Sequence, residues 1–413
     1  MVMIKQIKMT ILYLFIIGSL VSCKKGELAS VTETIVTAPL DTVKNTIPPV
    51  IDPVSTGPVV TIGTGSGILV LKNQEGKNFK ITAGTYSGFQ FENIKNCTVD
   101  GKNAAKIVGG GVTINTVNGL TLGGFSISNT STRAVDIYNQ ANDLILKDIQ
   151  ISNVTDVTIS NHINNKYDGT AASFSNNIQL LNIKADNILT FFASDGGISN
   201  SGFTGLIKNF VMKGCTITNS PNLSDGVWLP CAEDYVIANN VIDKVNASNN
   251  NHNGIFHLSG NGKIYNNKCT NHQGNMVRAW LFSITKAGVV EIYNNIVYNS
   301  TRYGAFELQV PPYIKAFSTF KPADAKVYNN TVGKLNTGLP KFFEGRLLDV
   351  YEMFGNIQVY NNLVFEDSDN IILNRMSADP ITKNSDNIYK NTWSEAVSDL
   401  TSFRSLVPGV GAQ

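Results

Sequence analysis

The sequence predicts an all-β solenoid of about ten coils, and a repeated phrase is the main observation behind that prediction. In each copy, alternating hydrophobic residues precede Asn-Asn and a further hydrophobic residue, as in VIANNVI at 236–242 and QVYNNLV at 358–364. The first asparagine of each pair is Asn239, Asn266, Asn294, Asn329 or Asn361. The copies therefore recur about every 30 residues, a spacing typical of stacked repeats.

The upstream half of the chain keeps the same register without the double asparagine. The copies there lie at 118–127, 142–151, 176–185 and 208–217, with a fainter one at 96–101. Their alternation predicts strands, and asparagine tolerates the left-handed backbone of a tight bend. Apolar residues at i, i+3, i+4 and i+7, which a helical solenoid needs, are missing.

Taken together, the repeats resemble the single-stranded right-handed parallel β-helix of the pectate lyase-like superfamily, over roughly residues 60–390. The resemblance implies that the bend asparagines stack into a ladder, with each amide bonding the coils above and below. A solenoid also needs its two open ends covered. We therefore expect the stretch 59–90 to close one end and a cap from about residue 385 to close the other. Within that cap, WSEAVSDLTSF has the spacing of a short amphipathic helix.

The N-terminus predicts a targeting signal over residues 1–22. Its apolar run at 11–20 follows a basic start and is too short to span a bilayer. The residues LVSC, which end at Cys23, resemble the lipobox of bacterial lipoproteins, and this implies lipidation of Cys23. The alternative is an ordinary signal peptide followed by a chance cysteine. We expect a lipid-anchored protein of the bacterial cell envelope, on the periplasmic or the outer side. Its Thr- and Pro-rich tether spans 23–58, and the β-helix domain spans 59–413.

Composition argues against several classes of partner. The net charge is +2 and charged residues make up 15% of the chain, which does not suit a nucleic-acid-binding protein. No glycine-rich phosphate loop follows a strand. Besides Cys23, the cysteines are Cys97, Cys215, Cys231 and Cys269. Their spacing matches no zinc motif, so we expect buried free thiols in a monomer.

The strands that precede each repeat phrase carry the candidate site. Alternation turns one set of side chains inward, such as Val227 and Phe256, and the other set outward. The predicted outward column is Trp228, His257, Arg278 with Trp280, Glu307 with Gln309, Asp349 with Tyr351, and Asn374. Because coils stack about 4.8 Å apart, these side chains would lie within roughly 20 Å of one another.

This column has the chemistry of a groove for an extended polysaccharide. Aromatic faces suit the C–H surfaces of sugar rings, and Arg, His and Gln hydrogen-bond to hydroxyls and carboxylates. Arg302 and Tyr303 would wall the groove, and the insertions 309–325 and 333–346 would form one rim of it. The alternative is a solvated sheet whose charges pair across rungs without any function, for instance Arg278 with Glu307.

The fold resembles that of polysaccharide lyases and several families of polysaccharide hydrolases. A lyase acting on a uronate needs a base, a cation that neutralises the carboxylate and a proton donor. Arg278 would be the cation, His257 or Arg278 the base, and Tyr351 or Tyr303 the donor. A Ca²⁺ ion held by Glu307, Asp349 or Asp225 would be an alternative cation.

Two other functions stay open at this point. A hydrolase needs two carboxylates a few ångströms apart, and Glu307 and Asp349 fall on adjacent rungs. The paired-Asp and Arg-x-Lys pattern of polygalacturonase-like hydrolases is absent, as are the arginine motifs of pectate and alginate lyases. The remaining alternative is a β-helix that binds glycan or serves as a structural surface protein without catalysis. The other three histidines are not predicted to belong to the site. His162 lies several coils away from it, and His252 and His272 lie at corners of the coils, where a role in a turn accounts for them at least as well as chemistry does. A polysaccharide lyase is the leading interpretation.

Overall fold

A computed structural model describes residues 57–248, 254–342, 344–351, 355–367, 373–375 and 381–413. The signal peptide, Cys23, almost all of the tether and His252 lie outside these ranges, so the predictions about them are not addressed by the structure. Within the ranges the regular structure is almost entirely β-strand. No helix in this part of the chain is long and apolar enough to cross a membrane.

The first half of the described chain is a series of strands interrupted by one 3-10 turn at Ala171–Ser173. These strands are β1 (Val59–Ile62), β2 (Ile68–Glu75), β3 (Asn78–Ile81), β4 (Gly84–Tyr86), β5 (Gly88–Val108), β6 (Val112–Thr130), β7 (Val135–Lys147), β8 (Gln150–Asn161), β9 (Ser175–Leu181), β10 (Lys184–Ser194), β11 (Gly197–Ser199), β12 (Gly202–Thr204), β13 (Ile207–Lys208), β14 (Val211–Lys213) and β15 (Thr216–Ser220). All pair in parallel except β11 and β12, which form an antiparallel hairpin.

The second half continues in the same way and adds two short helices. Its elements are β16 (Asp225–Ala238), β17 (Val241–Val245), β18 (Phe256–Tyr265), β19 (Lys268–His272), β20 (Val277–Trp280), β21 (Val289–Tyr293), β22 (Ile296–Ser300), β23 (Phe306–Gln309), α1 (Pro312–Lys315), β24 (Asp324–Tyr328), β25 (Thr331–Gly333), β26 (Leu348–Tyr351), β27 (Ile357–Tyr360), β28 (Leu363–Phe365), β29 (Leu373–Arg375), β30 (Ile381–Ser385), β31 (Ile388–Lys390) and α2 (Trp393–Ala396).

The strands pair in three parallel columns, and each strand bonds to the strand one repeat further along the chain. The first column runs through the start of β16 and β18 and then through β20, β23, β26 and β29. The second runs through the ends of β16 and β18 and then through β21, β24, β27 and β30. The third follows β15, β17, β19, β22, β25, β28 and β31. The all-β, parallel prediction is therefore confirmed.

The core is the set of inward side chains that the alternation predicted. In the first column Val227 pairs with Phe256, Phe256 with Val277, Val277 with Phe306, and Phe306 with Leu348. All five are fully buried. Apolar side chains therefore stack on apolar side chains from one repeat to the next, which buries a continuous apolar interior.

The two asparagines of the repeated phrase have different roles. The first has a left-handed backbone, as at Asn239, with φ 56, and Asn266, with φ 55. The second is buried and builds the ladder, since Nδ2 of Asn267 donates to the Ile237 carbonyl on one side and to Asn295 Oδ1 on the other. The ladder comprises Asn240, Asn267, Asn295, Asn330, Asn362 and Asn387. The predicted ladder is confirmed, and it uses the second asparagine of each pair.

The residues before these asparagines add an aromatic stack in the second column. Neighbouring rings of Tyr265, Tyr293, Tyr328 and Tyr360 lie 4.9, 4.9 and 5.1 Å apart between centroids and are nearly parallel. Because both faces of the inner rings are covered by their neighbours, the stack stabilises the coils and has few ring faces left for a ligand.

The cysteine prediction is confirmed for the described thiols. Cys97, Cys215, Cys231 and Cys269 are free and buried. Burial raises the pKa of the Cys215 thiol to about 12. A thiol in this state carries no nucleophilic chemistry at neutral pH.

Both predicted ends differ from the structure. The parallel register continues through β30 and β31 to Lys390, so the departure from the repeat begins later than residue 385. The tail beyond it packs Ala396 and Phe403 against Leu363 and Phe365, on the outer side of the third column. At the other end, β2, β3 and β4 all pair in parallel with β5 and form one coil, and β1 pairs in parallel with β3 as the outermost strand, so this stretch follows the repeat.

The predicted tail helix is also shorter than expected. Helix α2 is one turn long, and Val397 is already extended at φ −133. The cause is Asp399, whose Oδ1 accepts the backbone N–H groups of Thr401 and Ser402 at 2.7 Å each. A side chain that captures backbone donors in this way favours a turn over a continuing helix.

Candidate functional site

The outer face of the first column brings the predicted residues into one row. Trp228 pairs in register with His257, His257 with Arg278, Arg278 with Glu307, and Glu307 with Asp349. Asn374 is the next backbone position after Asp349. A second row two residues further along the strands contains Ser259, Trp280, Gln309 and Tyr351. The register predicted from the sequence is therefore correct at every one of these rungs.

The row is not an open surface, however. His257 is 5% exposed, and Glu307 and Asp349 are 0% exposed. The expectation that these three side chains face solvent is wrong. Two tryptophan rings pack on His257, Asn275 and Arg278 bond to Glu307, and Gly345 of the second insertion bonds to Asp349. Arg278, Trp228 and the second-row residues Trp280, Gln309 and Tyr351 keep partial exposure.

Glu307 holds Arg278 in a fixed position. Its Oε1 accepts the Arg278 Nε–H at 2.9 Å, and its Oε2 accepts an N–H of Asn275 at 3.0 Å. Arg278 Nη2 also donates to Gln309 Oε1 at 3.1 Å, and its side chain is 16% exposed. The cross-rung ion pair envisaged in the alternative interpretation is thus present. It is asymmetric, since the carboxylate is buried and the guanidinium reaches the surface.

His257 lies in a box of two tryptophans. Its ring meets the rings of Trp228 and Trp280 edge-on, with centroids 4.4 and 4.8 Å away. Nδ1 is 3.8 Å from Asp225 Oδ1, and the shielded Nε2 makes no hydrogen bond to any described residue. Burial lowers the pKa of His257; the contact with Asp225 opposes this shift, and the nearby Arg278 cation adds to it. The imidazole is therefore neutral at neutral pH and can accept a proton.

An aromatic wall stands at the carboxyl ends of these strands. Trp280 meets Tyr313 at 6.1 Å between centroids, and Tyr313, in α1, is 54% exposed. The insertion that carries Tyr313 is tied to the β11–β12 hairpin, since Thr319 Oγ1 donates to the Ser199 carbonyl at 2.6 Å. Burial raises the pKa of the Tyr313 phenol, although the Arg278 cation opposes this shift. Tyr313 was not among the residues predicted from the sequence.

The other wall stands at the amino ends of the strands. Tyr303 packs against Phe342 at 4.9 Å, and the Arg302 guanidinium lies 4.4 Å from the centre of the Phe342 ring. Tyr303 has φ 70, which is uncommon for a bulky residue and typical of functional sites. Burial raises the pKa of Tyr303. The prediction of one rim is corrected, because one insertion follows β23 and the other precedes β26, at opposite strand ends.

The second carboxylate of the row is also engaged. Asp349 Oδ2 accepts the Gly345 N–H at 3.3 Å, and the Tyr351 hydroxyl donates to Glu344 Oε1. Burial raises the pKa of Tyr351, and the hydrogen bond to Glu344 adds to the shift. Glu307 and Asp349 do lie on adjacent rungs, but their burial keeps both from a substrate. The acid pair that a hydrolase needs is not presented to the surface here.

The candidate calcium ligands do not fit that ion. Both oxygens of Glu307 accept N–H groups, and Asp349 accepts the Gly345 N–H, whereas Ca²⁺ requires several free oxygen ligands. Asp225 lies beside His257 on a different rung from either carboxylate. Among the described residues, no group of three or more His, Cys, Asp or Glu side chains could hold a metal ion.

A second polar cluster, which was not predicted from the sequence, lies upstream on the same face. It consists of Arg133, Asp136, Tyr138, His162 and Asp195. These residues come from three coils, so no local motif reveals them. Asp136 and Tyr138 are outward positions of an earlier coil, but their residue types alone gave no signal of a site. His272, by contrast, is a buried core residue whose Nδ1 lies 3.0 Å from the Gly274 carbonyl.

Comparison with known proteins gives little beyond these observations. No protein-family model matches the sequence, and a search of curated proteins gives no match. The catalytic domain of a GH87 alpha-1,3-glucanase, in a tetrasaccharide complex, aligns with TM-score 0.38 and 13% identity, over 79% of this chain and 64% of the glucanase chain. The same domain with nigerose aligns with TM-score 0.36 and 13% identity, with the same coverage.

A further solved structure with some similarity is a mannuronic acid specific polysaccharide family 6 lyase from human gut microbiota. It aligns with TM-score 0.32 and 9% identity, over 83% of this chain and 90% of the lyase. This chain spans 64% of the length of the glucanase chain. At these TM-scores the similarities carry no argument about the site, which depends on its own geometry.

Proposed function

We propose that the protein is a right-handed parallel β-helix that binds a uronate-containing polysaccharide along its first column and cleaves it as a lyase. The observation that carries the proposal is Arg278, a partly exposed cation that a buried carboxylate holds between two aromatic walls. A guanidinium presented in this way recognises a carboxylate. We further propose that a lipid on Cys23 anchors the protein to the bacterial envelope.

The reaction starts with the substrate carboxylate bound at Arg278. Neutralisation of that carboxylate makes the proton on the adjacent ring carbon more acidic. His257 occupies the neighbouring rung and is neutral, so its Nε2 takes this proton. Since Trp228 and Trp280 shield Nε2, substrate binding must displace one of the two rings.

The electron pair left by the proton then forms the carbon–carbon double bond while the bond to the glycosidic oxygen breaks. The departing oxygen takes a proton from a phenol. Tyr313 suits this role because its phenol is protonated at neutral pH, its ring is half exposed beside Trp280, and the Arg278 cation favours the phenolate that forms. Tyr351 suits it less, since its hydroxyl already donates to Glu344. Tyr303 is more buried and serves as part of the opposite wall.

Binding without cleavage is the second candidate. It rests on the shielding of His257 Nε2, because a face that never exposes its base would hold a glycan without cutting it. Hydrolysis has less support than either, since Glu307 and Asp349 are both fully buried.

Two signals from one reaction mixture separate these functions. Purified full-length protein is incubated with a panel of acidic and neutral polysaccharides, and ultraviolet absorbance of unsaturated uronates is followed together with new reducing ends. The proposal expects both signals to rise together on an acidic polymer. Reducing ends alone would indicate hydrolysis. Retardation of the protein in a polysaccharide-containing gel with neither signal would indicate binding only.

A further inference from the structure

The upstream cluster is organised around His162. Its Nε2 lies 2.9 Å from Asp136 Oδ1, and its Nδ1 lies 3.3 Å from Asp195 Oδ2. Arg133 Nη1 lies 3.2 Å from the same Nε2 and 3.5 Å from Asp136 Oδ1. Tyr138 stacks on the imidazole with centroids 4.7 Å apart. Contacts from three coils therefore fix each of these side chains in place.

Side chains of this cluster are exposed to solvent, whereas Glu307 and Asp349 in the downstream row are buried. The Asp195 side chain is 54% exposed, and Tyr138 is 39% exposed. An aromatic ring held by stacking on one face, beside carboxylates that accept hydrogen bonds, resembles the sugar-contacting surfaces of binding sites in its chemistry. The long hydrogen bonds within the cluster also leave lone pairs on Asp195 for hydroxyl donors.

The cluster lies on the face that carries Arg278. Ser160, next to the His162 strand end, pairs with Ala193, Ala193 with Trp228, Trp228 with His257, and His257 with Arg278. At about 4.8 Å per rung, four rungs place His162 roughly 19 Å from Arg278. A polymer chain that is held at Arg278 and runs along the column therefore crosses about four rungs to reach the cluster.

The charged side chains of the cluster favour an uncharged sugar unit over a uronate. Two carboxylates face one arginine and one histidine, and the more exposed carboxylate, Asp195, lies at the edge of the cluster. A uronate placed there would meet a like charge, whereas hydroxyl groups would donate to it. Arg133 is 38% exposed, but Asp136 and His162 engage its guanidinium. The most exposed charge of the cluster is therefore the Asp195 anion, whereas the exposed charge of the Arg278–Glu307 pair is the cation.

We propose that Tyr138, His162 and Asp195 form a distal subsite for an uncharged sugar unit of the polymer whose uronate binds at Arg278. This inference rests on the proposed function. It makes the substrate a mixed polymer and gives the protein a preference for long chains. Asp136 and Arg133 act as positioning residues that hold His162.

The test compares chain lengths. The panel polysaccharide that binds most strongly is cut by mild acid into fractions of two to eight units, and the affinity of each is measured by calorimetry. Wild-type protein is expected to bind the longest fractions about tenfold more tightly than the shortest. Tyr138→Ala should remove most of that advantage without changing affinity for the shortest fraction. Tyr138→Phe, which keeps the ring, is the matched control and should retain it.

The outcomes separate the subsite from the proposed function. His162→Ala should act as Tyr138→Ala does, and Asp195→Asn should improve binding of long fractions made of uronate alone. The subsite is overturned if wild-type affinity does not depend on length, or if Tyr138→Ala weakens short and long fractions equally. Loss of short-fraction binding in Arg278→Ala would still support the proposed function in that case.

Discussion

The buried carboxylate of Glu307 accepts the Nε–H of Arg278 at 2.9 Å, and only the arginine of this pair reaches the surface. The buried partner orients a cation that an exposed pair would leave mobile. This contact stabilises the fold and also orients Arg278 for ligand binding. Substitution of Glu307 tests its contribution to stability.

Glu307→Ala leaves Arg278 and Asn275 without their shared acceptor. Breaking a buried ion pair from one side costs about 3–5 kcal/mol, so we expect the free energy of unfolding to fall by that order. Urea denaturation followed by circular dichroism measures the loss. Glu291→Gln is the control, because Glu291 lies partly exposed in the second column, and it should cost less than about 1 kcal/mol. Equal losses in the two variants would contradict this role for Glu307.

The neighbouring asparagines of one repeat should respond differently to the same change. Asn295→Gly removes an amide that donates to Asn330 and to the Ile264 carbonyl, leaving buried partners unsatisfied. We expect a loss of about 3 kcal/mol. Asn294→Gly keeps the left-handed bend at φ 53 and should be nearly neutral. The urea midpoints of both variants check this, and a larger loss at Asn294 would refute the division of roles.

Acid should weaken the fold through His272. Burial lowers the pKa of this histidine to about 4 in the folded protein, below its ordinary value of 6.5. Between these values the unfolded chain binds the proton and the folded one does not, so stability falls as pH drops from about 6.5 to about 4. The contribution of this residue is about 3 kcal/mol.

The measurement is the unfolding free energy of His272→Gln and of wild type at several pH values. The variant should show a shallower slope across that window. Parallel slopes would show that His272 does not cause the acid sensitivity.

The proposed lipid anchor makes its own prediction. Cys23→Ala removes the sulfur and the cleavage signal that the lipobox resemblance implies, so the protein should not be labelled by a fatty acid. Wild-type protein should label and fractionate with membranes, and Cys269→Ala, at a buried core position, should label as wild type does. Labelling of Cys23→Ala would contradict the anchor.

The sequence predicts the register of the first column correctly, and the reason is local. A period of two fixes which side chain faces out, and the asparagine pairs fix where each coil begins. Trp228, His257, Arg278 and Glu307 are therefore aligned by short-range information alone.

Burial could not be predicted in the same way. The burial of Asp349 depends on where an insertion folds, because Asp349 accepts a hydrogen bond from Gly345 there. The other insertion is held by a contact between Thr319 and Ser199, which are 120 residues apart. No periodicity encodes such a contact. The His162 cluster was not predicted for a related reason, since its contacts join residues of three coils that are 26 and 33 positions apart in the sequence. The predicted length of the tail helix was wrong because the Asp399 side chain accepts backbone N–H groups that a longer helix would use.

The most direct test of the central claim compares a uronate oligosaccharide with its carboxyl-reduced derivative, by calorimetric binding to wild type and to Arg278→Ala. Arg404→Ala, in the exposed tail, is the matched control. A charge-assisted hydrogen bond contributes about 1.5–3 kcal/mol, so wild type and the control should prefer the uronate about ten- to a hundredfold. Arg278→Ala should bind both ligands equally. An undiminished preference in Arg278→Ala would show that the carboxylate binds elsewhere and would contradict the account.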